Sequence, residues 1–203
     1  MLNILCFGDS NTFGYVPKTG ERYDANTRWT SVLQRVLGEN YNIIEAGCNN
    51  RTGFVDSIDG KALTGYKLLP EILEKNLDIV IIALGTNDIQ KFYYPSIDMI
   101  EKGLYSMIKY VKSVGARVIL ISPPILNEDV LKGNFAFQFD EKSIEQSKIL
   151  PDLYQMIANK TGCGFVNLNK HVSVSSQDGL HYSPESHSVI AKVLADYIKL
   201  NFA

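Results

Sequence analysis

The sequence predicts a three-layer α/β sandwich, in which a five-stranded parallel sheet is covered by helices on both faces. Five short apolar segments alternate with longer segments whose apolar residues recur at helical spacing. The run at 79–84 is apolar without alternation, as expected for a central parallel strand that is buried on both faces. Parallel strands joined by helices require right-handed crossovers, which place helices against the sheet.

The five predicted strands are short and mostly apolar. They cover residues 2–7, 41–46, 77–84, 117–121 and 164–168. In sheets of this class, ligands bind in a crevice beyond the carboxyl ends of the strands. Functional residues are therefore expected directly after these five segments.

Four segments have the apolar spacing of amphipathic helices. They lie at 29–37, at 97–111, at 140–160 and after Ser183-Pro184, which is a favourable N-cap and first-turn pair. Pro151 falls inside the third segment, where it is expected to kink or restart the helix, because proline cannot donate a backbone hydrogen bond.

The composition is that of one ordinary globular domain spanning residues 1–203. There are 20 Lys+Arg against 22 Asp+Glu, and 45% of the residues are hydrophobic. These values exclude a disordered chain and give no basic excess of the kind that nucleic-acid-binding domains usually show. The sequence shows no signal peptide or membrane span, and its three cysteines are too far apart for a disulfide framework or a zinc site. We therefore expect a reduced, cytoplasmic protein.

The loop Gly8-Asp9-Ser10-Asn11-Thr12-Phe13-Gly14 follows the first strand. Ser10 leaves the strand at a glycine-flanked turn near the start of a helix, where backbone N–H groups are free. The residue is therefore either a nucleophile or part of a cradle for a nucleotide or flavin phosphate. The phosphate hypothesis fits less well, because the loop lacks the GxxxxGK[ST] pattern and Asp9 would repel an anion.

A serine nucleophile needs a base, and the base needs a carboxylate that orients it. His171 lies in a polar segment and His187 in the first turns of the last helix, where surface positions are expected. His181 follows Asp178 by three residues, so one turn can aim the carboxylate at Nδ1 while Nε2 faces outward. We therefore predict a catalytic triad of Ser10, His181 and Asp178.

Donors for a developing oxyanion are expected at two further strand ends. Gly47 follows the second strand, and its missing Cβ lets a backbone N–H approach a ligand closely. Asn87 follows the third strand and offers a side-chain amide. Both residue types are also common in plain turns, but their positions at the expected crevice favour function. Cys48 is a less favoured nucleophile, because it has no evident catalytic partner.

These segments resemble the SGNH hydrolases, also called the GDSL family of lipases and esterases. The matching blocks are Gly8-Asp9-Ser10 for the nucleophile, Gly47, the GxND block at 85–88 and the DxxH block at 178–181. Arg28-Trp29-Thr30 and Ser122-Pro123-Pro124 resemble the bacterial arylesterase/acyltransferase branch. One departure is Asn11, where the family usually has leucine.

The resemblance implies the flavodoxin-like SGNH hydrolase fold and a serine esterase that cleaves short-chain acetyl or aryl esters through an acyl-enzyme. Acyl transfer to another alcohol is a further outcome. It implies an oxyanion hole formed by the Ser10 and Gly47 backbone amides and the Asn87 side chain, with no cofactor and no metal. The alternatives are a non-catalytic flavodoxin-like module that binds a nucleotide or flavin phosphate, and an interaction domain with a decayed site.

Candidate substrate contacts lie beside these residues. They are Asp9, Asn11 and Asn49 in the strand-end loops, and Phe92 in the aromatic loop 91–95. Asn50 and Arg51 either line or buttress the mouth of the site, or are solvated. The aromatic loop 133–139 carries three phenylalanines, which would share one side if the segment were extended. We expect both aromatic loops to narrow the pocket and to contribute to a homo-oligomer; packing on the domain's own core is the alternative.

Overall fold

The computed structural model describes residues 1–73 and 76–202. Its five strands form one parallel sheet in the order β2-β1-β3-β4-β5. The strands are β1 (Leu2–Gly8), β2 (Tyr41–Gly47), β3 (Ile79–Ala83), β4 (Arg117–Ile121) and β5 (Gly164–Val166). The predicted number and parallel direction of the strands are confirmed. The last strand is shorter than expected, because a 3-10 turn begins at Leu168.

Within the described residues, six α-helices accompany the sheet. They are α1 (Ser10–Phe13), α2 (Trp29–Leu37), α3 (Gly65–Ile72), α4 (Ile97–Ser113), α5 (Glu141–Thr161) and α6 (Pro184–Phe202). Helix α3 was not expected from the sequence, because it begins at a glycine and contains Pro70, both of which disfavour helices. The burial of Leu69 in the core holds this helix in place.

Helix α5 continues through Pro151, so the expectation of a restart there is wrong. Proline at this position removes one backbone hydrogen bond. Leu150 and Leu153, on either side of this proline in the helix, are buried in the hydrophobic core. Their packing outweighs the loss of the hydrogen bond.

The alternation of side chains in the strands assigns each helix to one face of the sheet. Leu5 and Phe7 of β1 point to the face that is covered by α3, α4 and α5. Ile4 and Cys6 point to the opposite face, which is covered by α2 and α6. The predicted three-layer architecture is therefore confirmed, with one core on each side of the sheet.

The register of the strands brings three loops together. Gly8 at the end of β1 pairs with Gly47 at the end of β2 on one side and with Ala83 at the end of β3 on the other. The chain leaves β1 toward β2 and later crosses back to β3, so the order of the strands reverses beside β1. A crevice at such a switch point is where open α/β sheets bind ligands.

No helix within residues 1–73 and 76–202 combines the length and the apolar character needed to cross a bilayer.

Candidate active site

Ser10 is the first residue of α1 and directly follows a tight turn at the end of β1. The side chain of Asp9 caps the helix, since its Oδ1 accepts a hydrogen bond from the Asn11 N–H at 2.9 Å. Gly8 has no room for a side chain, because a Cβ there would lie 2.0 Å from Thr12 Oγ1 and 2.8 Å from the Ala83 carbonyl oxygen. The glycine and the capping aspartate thus explain why the chain turns so sharply in front of the serine.

The three predicted triad residues lie together in a continuous hydrogen-bonded series. Ser10 Oγ is 2.9 Å from His181 Nε2, and His181 Nδ1 is 2.8 Å from Asp178 Oδ2. All three are buried, with exposed fractions of 8% for Ser10, 2% for His181 and 5% for Asp178. The nucleophile and the base are separated by 171 positions in the chain.

The loop that carries His181 is organised by Asp178. Asp178 Oδ1 accepts hydrogen bonds from the backbone N–H groups of Leu180 and His181, at 3.0 and 2.9 Å. Gly179 has a φ of +69°, and a Cβ at this position would lie 2.3 Å from the Val130 nitrogen. The sequence Asp-Gly-Leu-His therefore forms a turn that requires glycine at its second position, because any other residue there would strain the backbone.

The electrostatics of this loop favour one tautomer of His181. Burial alone would raise the pKa of Asp178, but hydrogen bonds from the His181 ring and from backbone N–H groups lower it below its usual value. The ionised carboxylate accepts the Nδ1–H of the ring. Nε2 is then the nitrogen without a hydrogen, and it can accept the proton of Ser10.

Two aromatic rings cover the imidazole of His181. Tyr15 stacks on it with ring centroids 4.2 Å apart and an angle of 26° between the planes. Phe135 lies at 5.2 Å with an angle of 59°. Such rings exclude water from one side of the base and limit the space next to it.

The loop 133–139 is not extended, so the condition under which its three phenylalanines would share one side is not met. Phe135 contacts His181, Phe137 is 61% exposed and Phe139 is buried in the core. The segment forms successive turns instead of an extended strand, as shown by hydrogen bonds from the N–H groups of Gln138 and Phe139 to the Phe135 carbonyl oxygen at 2.8 and 3.1 Å.

Asn87 lies in a 3-10 turn after β3 and is buried next to the loop that follows β2. Its Oδ1 accepts a hydrogen bond from Gln90 Nε2 at 3.0 Å, and its Nδ2 donates to the Arg51 carbonyl oxygen at 3.0 Å. These two bonds fix which end of the amide is the donor. An amide nitrogen carries two hydrogens, so Asn87 keeps one for a further acceptor.

Gly47 is required for close packing of the backbone. A Cβ at this position would lie 2.2 Å from the Phe13 nitrogen and 2.5 Å from the Thr12 carbonyl carbon. The absence of a side chain therefore lets the end of β2 lie against α1. This reason differs from the predicted one, which was the approach of a ligand.

Two buried charged residues, Asp88 and Arg51, form hydrogen bonds with segments at the ends of the strands. The sequence alone predicts no definite role for either of them. Asp88 accepts hydrogen bonds from the N–H groups of Gly53, Phe54 and Val55, at 2.6, 2.6 and 3.0 Å. Burial raises its pKa to about 6. Arg51 donates to the carbonyl oxygens of Gly8 and Ala46, which lie at the ends of β1 and β2. The GxND pattern at 85–88 is the feature of the sequence that could have identified Asp88 as a functional residue. Arg51 buttresses the site through its bonds to the ends of β1 and β2.

The segment Arg28-Trp29-Thr30 connects helix α2 with the site. The indole Nε1 of Trp29 donates to the Asn11 carbonyl oxygen at 3.1 Å. Arg28 Nε and Thr30 Oγ1 donate to Glu45 of β2, at 2.9 and 2.7 Å. Burial would raise the pKa of Glu45, but the hydrogen bonds from Arg28, Ser31 and Thr30 lower it to about 2.

His187 is fully buried, so the expectation of a surface position is wrong. Its Nδ1 accepts a hydrogen bond from the Trp29 N–H at 3.2 Å. Trp29 is the first residue of α2, whose N-cap residue Arg28 provides no side-chain cap. His187 of α6 therefore satisfies an N–H group that the α2 helix itself leaves free. His171 is exposed, as expected.

The four predicted substrate contacts have different environments. Asp9 caps α1, and burial raises its pKa to about 6. Asn11 uses its side chain for hydrogen bonds within the protein. Asn49 Oδ1 is buried and has no hydrogen-bond partner within the described part of the chain. Phe92 is 50% exposed. A role of these residues in substrate binding stays a prediction.

Comparison with known proteins gives consistent matches along the chain. A model of the GDSL-like lipase/acylhydrolase family matches residues 6–189. The structure is similar to that of the M. smegmatis aryl esterase, with 28% identity, coverage of 98% of this chain and 99% of that one, and a TM-score of 0.92. It is similar to Est24, a carbohydrate acetylesterase from Sinorhizobium meliloti, with 30% identity, full coverage of both chains and a TM-score of 0.89.

A more distant structure shows the same fold. The lipase/acylhydrolase from Enterococcus faecalis has 22% identity, with coverage of 98% of this chain and 96% of that one and a TM-score of 0.74. Comparison with curated protein sequences gives no significant match. The alternative of a flavodoxin-like binding module finds no support among these similarities. The chain belongs to the GDSL-like lipase/acylhydrolase family and is a carboxylic ester hydrolase.

Proposed function

We propose that the protein hydrolyses short-chain carboxylic esters, acetyl or aryl esters in particular, through an acyl-enzyme on Ser10. The observation that carries this proposal is the hydrogen-bonded series from Ser10 Oγ through His181 to the ionised Asp178. The aryl esterase and the carbohydrate acetylesterase among the similar structures support this class of substrate.

In the acylation step, Ser10 Oγ attacks the ester carbonyl carbon while its proton moves to His181 Nε2. The carbonyl oxygen becomes an oxyanion, which accepts hydrogen bonds from the backbone N–H groups of Ser10 and Gly47 and from the Asn87 side chain. The Ser10 N–H suits this role, because the first N–H groups of a helix have no acceptor within the helix. The intermediate collapses, and the leaving alcohol takes the proton from His181.

In the deacylation step, a water molecule attacks the acyl carbon and gives a proton to His181 Nε2. The acid leaves, and the proton returns to Ser10 Oγ. An alcohol in place of the water would accept the acyl group, and the product would be a new ester. Asp178 holds the His181 ring in the required tautomer and stabilises its positive charge during both steps.

The aromatic cover of the base supports a preference for small acyl groups. Tyr15 and Phe135 lie against the His181 ring, and Ser10 is itself largely buried. A long acyl chain would have to displace these rings, whereas an acetyl group needs little space. The predicted contacts Asp9, Asn11, Asn49 and Phe92 belong to this proposal as candidate substrate-binding residues.

Exposed apolar side chains support self-association. Ile58, Phe92 and Ile97 are largely exposed, and the loops that carry the first two are joined by a hydrogen bond from the Ile58 N–H to Tyr93 Oη at 3.0 Å. Exposed apolar groups of this kind commonly mark an interface. We therefore propose a homo-oligomer. A mass that matches one chain in light scattering would contradict this part of the proposal.

The decisive experiment combines turnover with covalent labelling. The wild-type protein is expected to release p-nitrophenol from the acetate ester faster than from the octanoate ester. A serine-reactive phosphonate is expected to label Ser10, as located by peptide mass mapping, and Ser10→Ala is expected to abolish both turnover and labelling. Cys48→Ser serves as the matched control and keeps its activity. Label on another residue, or full activity in Ser10→Ala, would overturn the proposal.

A further inference from the structure

The side chain of Asn11 joins the nucleophile helix to the loop that carries the base. Its Nδ2 donates to the Leu180 carbonyl oxygen at 3.2 Å, and its Oδ1 accepts from the Tyr182 N–H at 3.2 Å. One planar amide thus pairs with the main chain on both sides of His181. We propose that Asn11 is a positioning residue that sets the distance between Ser10 and His181, an inference that rests on the function proposed above.

The chemistry of the pairing requires an amide. The Leu180 carbonyl can only accept a hydrogen bond and the Tyr182 N–H can only donate one, so the partner must present a donor and an acceptor side by side. Asparagine does so, aspartate offers acceptors only, and leucine offers neither. Asn11 is 7% exposed, so its loss would leave buried main-chain groups without partners.

Asn11 is itself held firmly. Its N–H donates to Asp9 Oδ1 at 2.9 Å, and its carbonyl oxygen accepts from Trp29 Nε1 at 3.1 Å. Asn11 directly follows Ser10 in α1. Because its main chain is fixed to Asp9 and Trp29 and its side chain is bound to the loop that carries His181, it holds that loop in place relative to Ser10.

Apart from its bond to Ser10, His181 forms its hydrogen bonds within its own loop, and Tyr15 and Phe135 contact its ring by packing alone. Asp178 orients the imidazole, but it lies three residues away and moves together with the histidine. Between Ser10 and His181 there is one hydrogen bond, at 2.9 Å. The two bonds of Asn11 therefore resist a shift of the whole loop relative to α1. A displacement of 1 Å at reacting groups can lower a rate by about 10²-fold.

Gln34 provides a matched control, because it forms the same pairing at another place. Its Nε2 donates to the Tyr41 carbonyl oxygen at 2.9 Å, and its Oε1 accepts from the Ile43 N–H at 2.8 Å. This amide thus brackets Asn42 in β2, in a location that does not involve the triad. Gln34→Leu removes the same two kinds of bond as Asn11→Leu, together with a further bond from Gln34 Nε2 to the Gly38 carbonyl oxygen at 3.2 Å.

The test compares Asn11→Leu, Asn11→Asp and Gln34→Leu with the wild-type protein on p-nitrophenyl acetate. We expect kcat to fall by about 10²-fold in both Asn11 variants while KM changes by less than about threefold, because the loss concerns the transition state and not binding. The second-order rate of labelling of Ser10 by the phosphonate should fall in parallel. Gln34→Leu should lower the melting temperature but keep its kcat within about twofold.

With an active wild-type protein, three outcomes would overturn the inference. The first is a folded Asn11→Leu with the wild-type kcat, and the second is an equal loss of kcat in Gln34→Leu. If Asn11→Leu does not fold, Asn11→Asp decides, since it keeps the shape of the side chain, and a wild-type kcat in that variant is the third outcome. A wild-type protein that neither turns over esters nor is labelled at Ser10 would overturn the proposed function together with this inference. An active wild-type protein with active Asn11 variants would overturn the positioning role alone.

Discussion

The imidazole of His187 accepts the backbone N–H of Trp29 at 3.2 Å, and so it caps helix α2 from the first turns of α6. The acceptor is Nδ1, so the ring must be neutral and carry its hydrogen on Nε2. Burial, with a smaller contribution from the charge of His181, lowers the pKa of His187 from 6.5 to about 4. The contact therefore links the stability of the protein to pH.

The neutral form of His187 is favoured in the folded state, so its contribution to stability is complete above pH 6.5. It is lost as the pH falls from 6.5 toward 4, because the unfolded chain then binds more protons. The shift of about 2.5 pH units between the two pKa values corresponds to about 3 kcal/mol. We expect the difference in unfolding free energy between the wild-type protein and His187→Gln to decrease by about this amount between pH 7 and pH 4.

Urea unfolding at a series of pH values measures this difference. The comparison with a variant is necessary, because Asp9 and Asp88 have opposite effects. Their pKa values are raised to about 6 by burial, so they stabilise the fold as the pH falls from 6 toward 3.8. His171→Gln is the control, since His171 is exposed. A difference between wild type and His187→Gln that does not change with pH would contradict the prediction.

Replacement of Asn87 by alanine removes the side-chain donor proposed for the oxyanion. We expect kcat to fall by about 10²–10³-fold, the loss that follows removal of one such donor. KM should change much less, because the bond forms fully only in the transition state. Steady-state kinetics on p-nitrophenyl acetate check this, and a larger change in KM than in kcat would speak against the assignment.

Replacement of Asp178 by asparagine tests the orientation of the base. The asparagine amide would favour the wrong tautomer of His181, and we expect kcat to fall by up to about 10⁴-fold. The loop fold should survive in part, since the asparagine Oδ1 can still accept from the N–H groups of Leu180 and His181. Circular dichroism and the melting temperature separate loss of fold from loss of activity. A folded Asp178→Asn protein with near-normal kcat would exclude Asp178 from the triad.

Replacement of Gly47 by alanine tests the close packing of β2 against α1. The new Cβ would lie 2.2 Å from the Phe13 nitrogen, so the backbone must move. We expect a loss of about 1–3 kcal/mol or more in unfolding free energy and lower activity, because α1 carries Ser10. Gly133→Ala is the control, since a Cβ there meets no atom within 4 Å. Equal melting temperatures for the two variants would refute the steric argument.

The sequence predicts the sheet correctly and singles out three residues that the fold places in one hydrogen-bonded series, and physical reasons explain both. An unbroken apolar run such as that of β3 has few alternatives to a central strand, and the carboxyl ends of parallel strands must meet at one edge. Asp178 and His181 are neighbours in one turn, so their pairing is a local property. The pairing of His181 with Ser10 follows from the topology, since the last loop returns to the same edge as the end of β1.

The features that the sequence does not predict depend on tertiary packing. Pro151 disfavours a helix locally, yet the packing of the residues around it keeps α5 continuous. His187 looks like a surface residue, and only the approach of α2 to α6 makes it a buried cap. The turns of the loop 133–139 override its alternating pattern, so that Phe135 alone of its three phenylalanines lies against His181.

The distance of 171 positions between Ser10 and His181 has a consequence for biosynthesis. A ribosome makes the serine among the first residues of this sequence and the histidine just before the last helix. A nascent chain can thus contain the residues of all five described strands while Ser10 still lacks His181. Under the function proposed above, Ser10 becomes reactive only after the segment that carries His181 has been made, and chains that stop before His181 are expected to be inert toward esters.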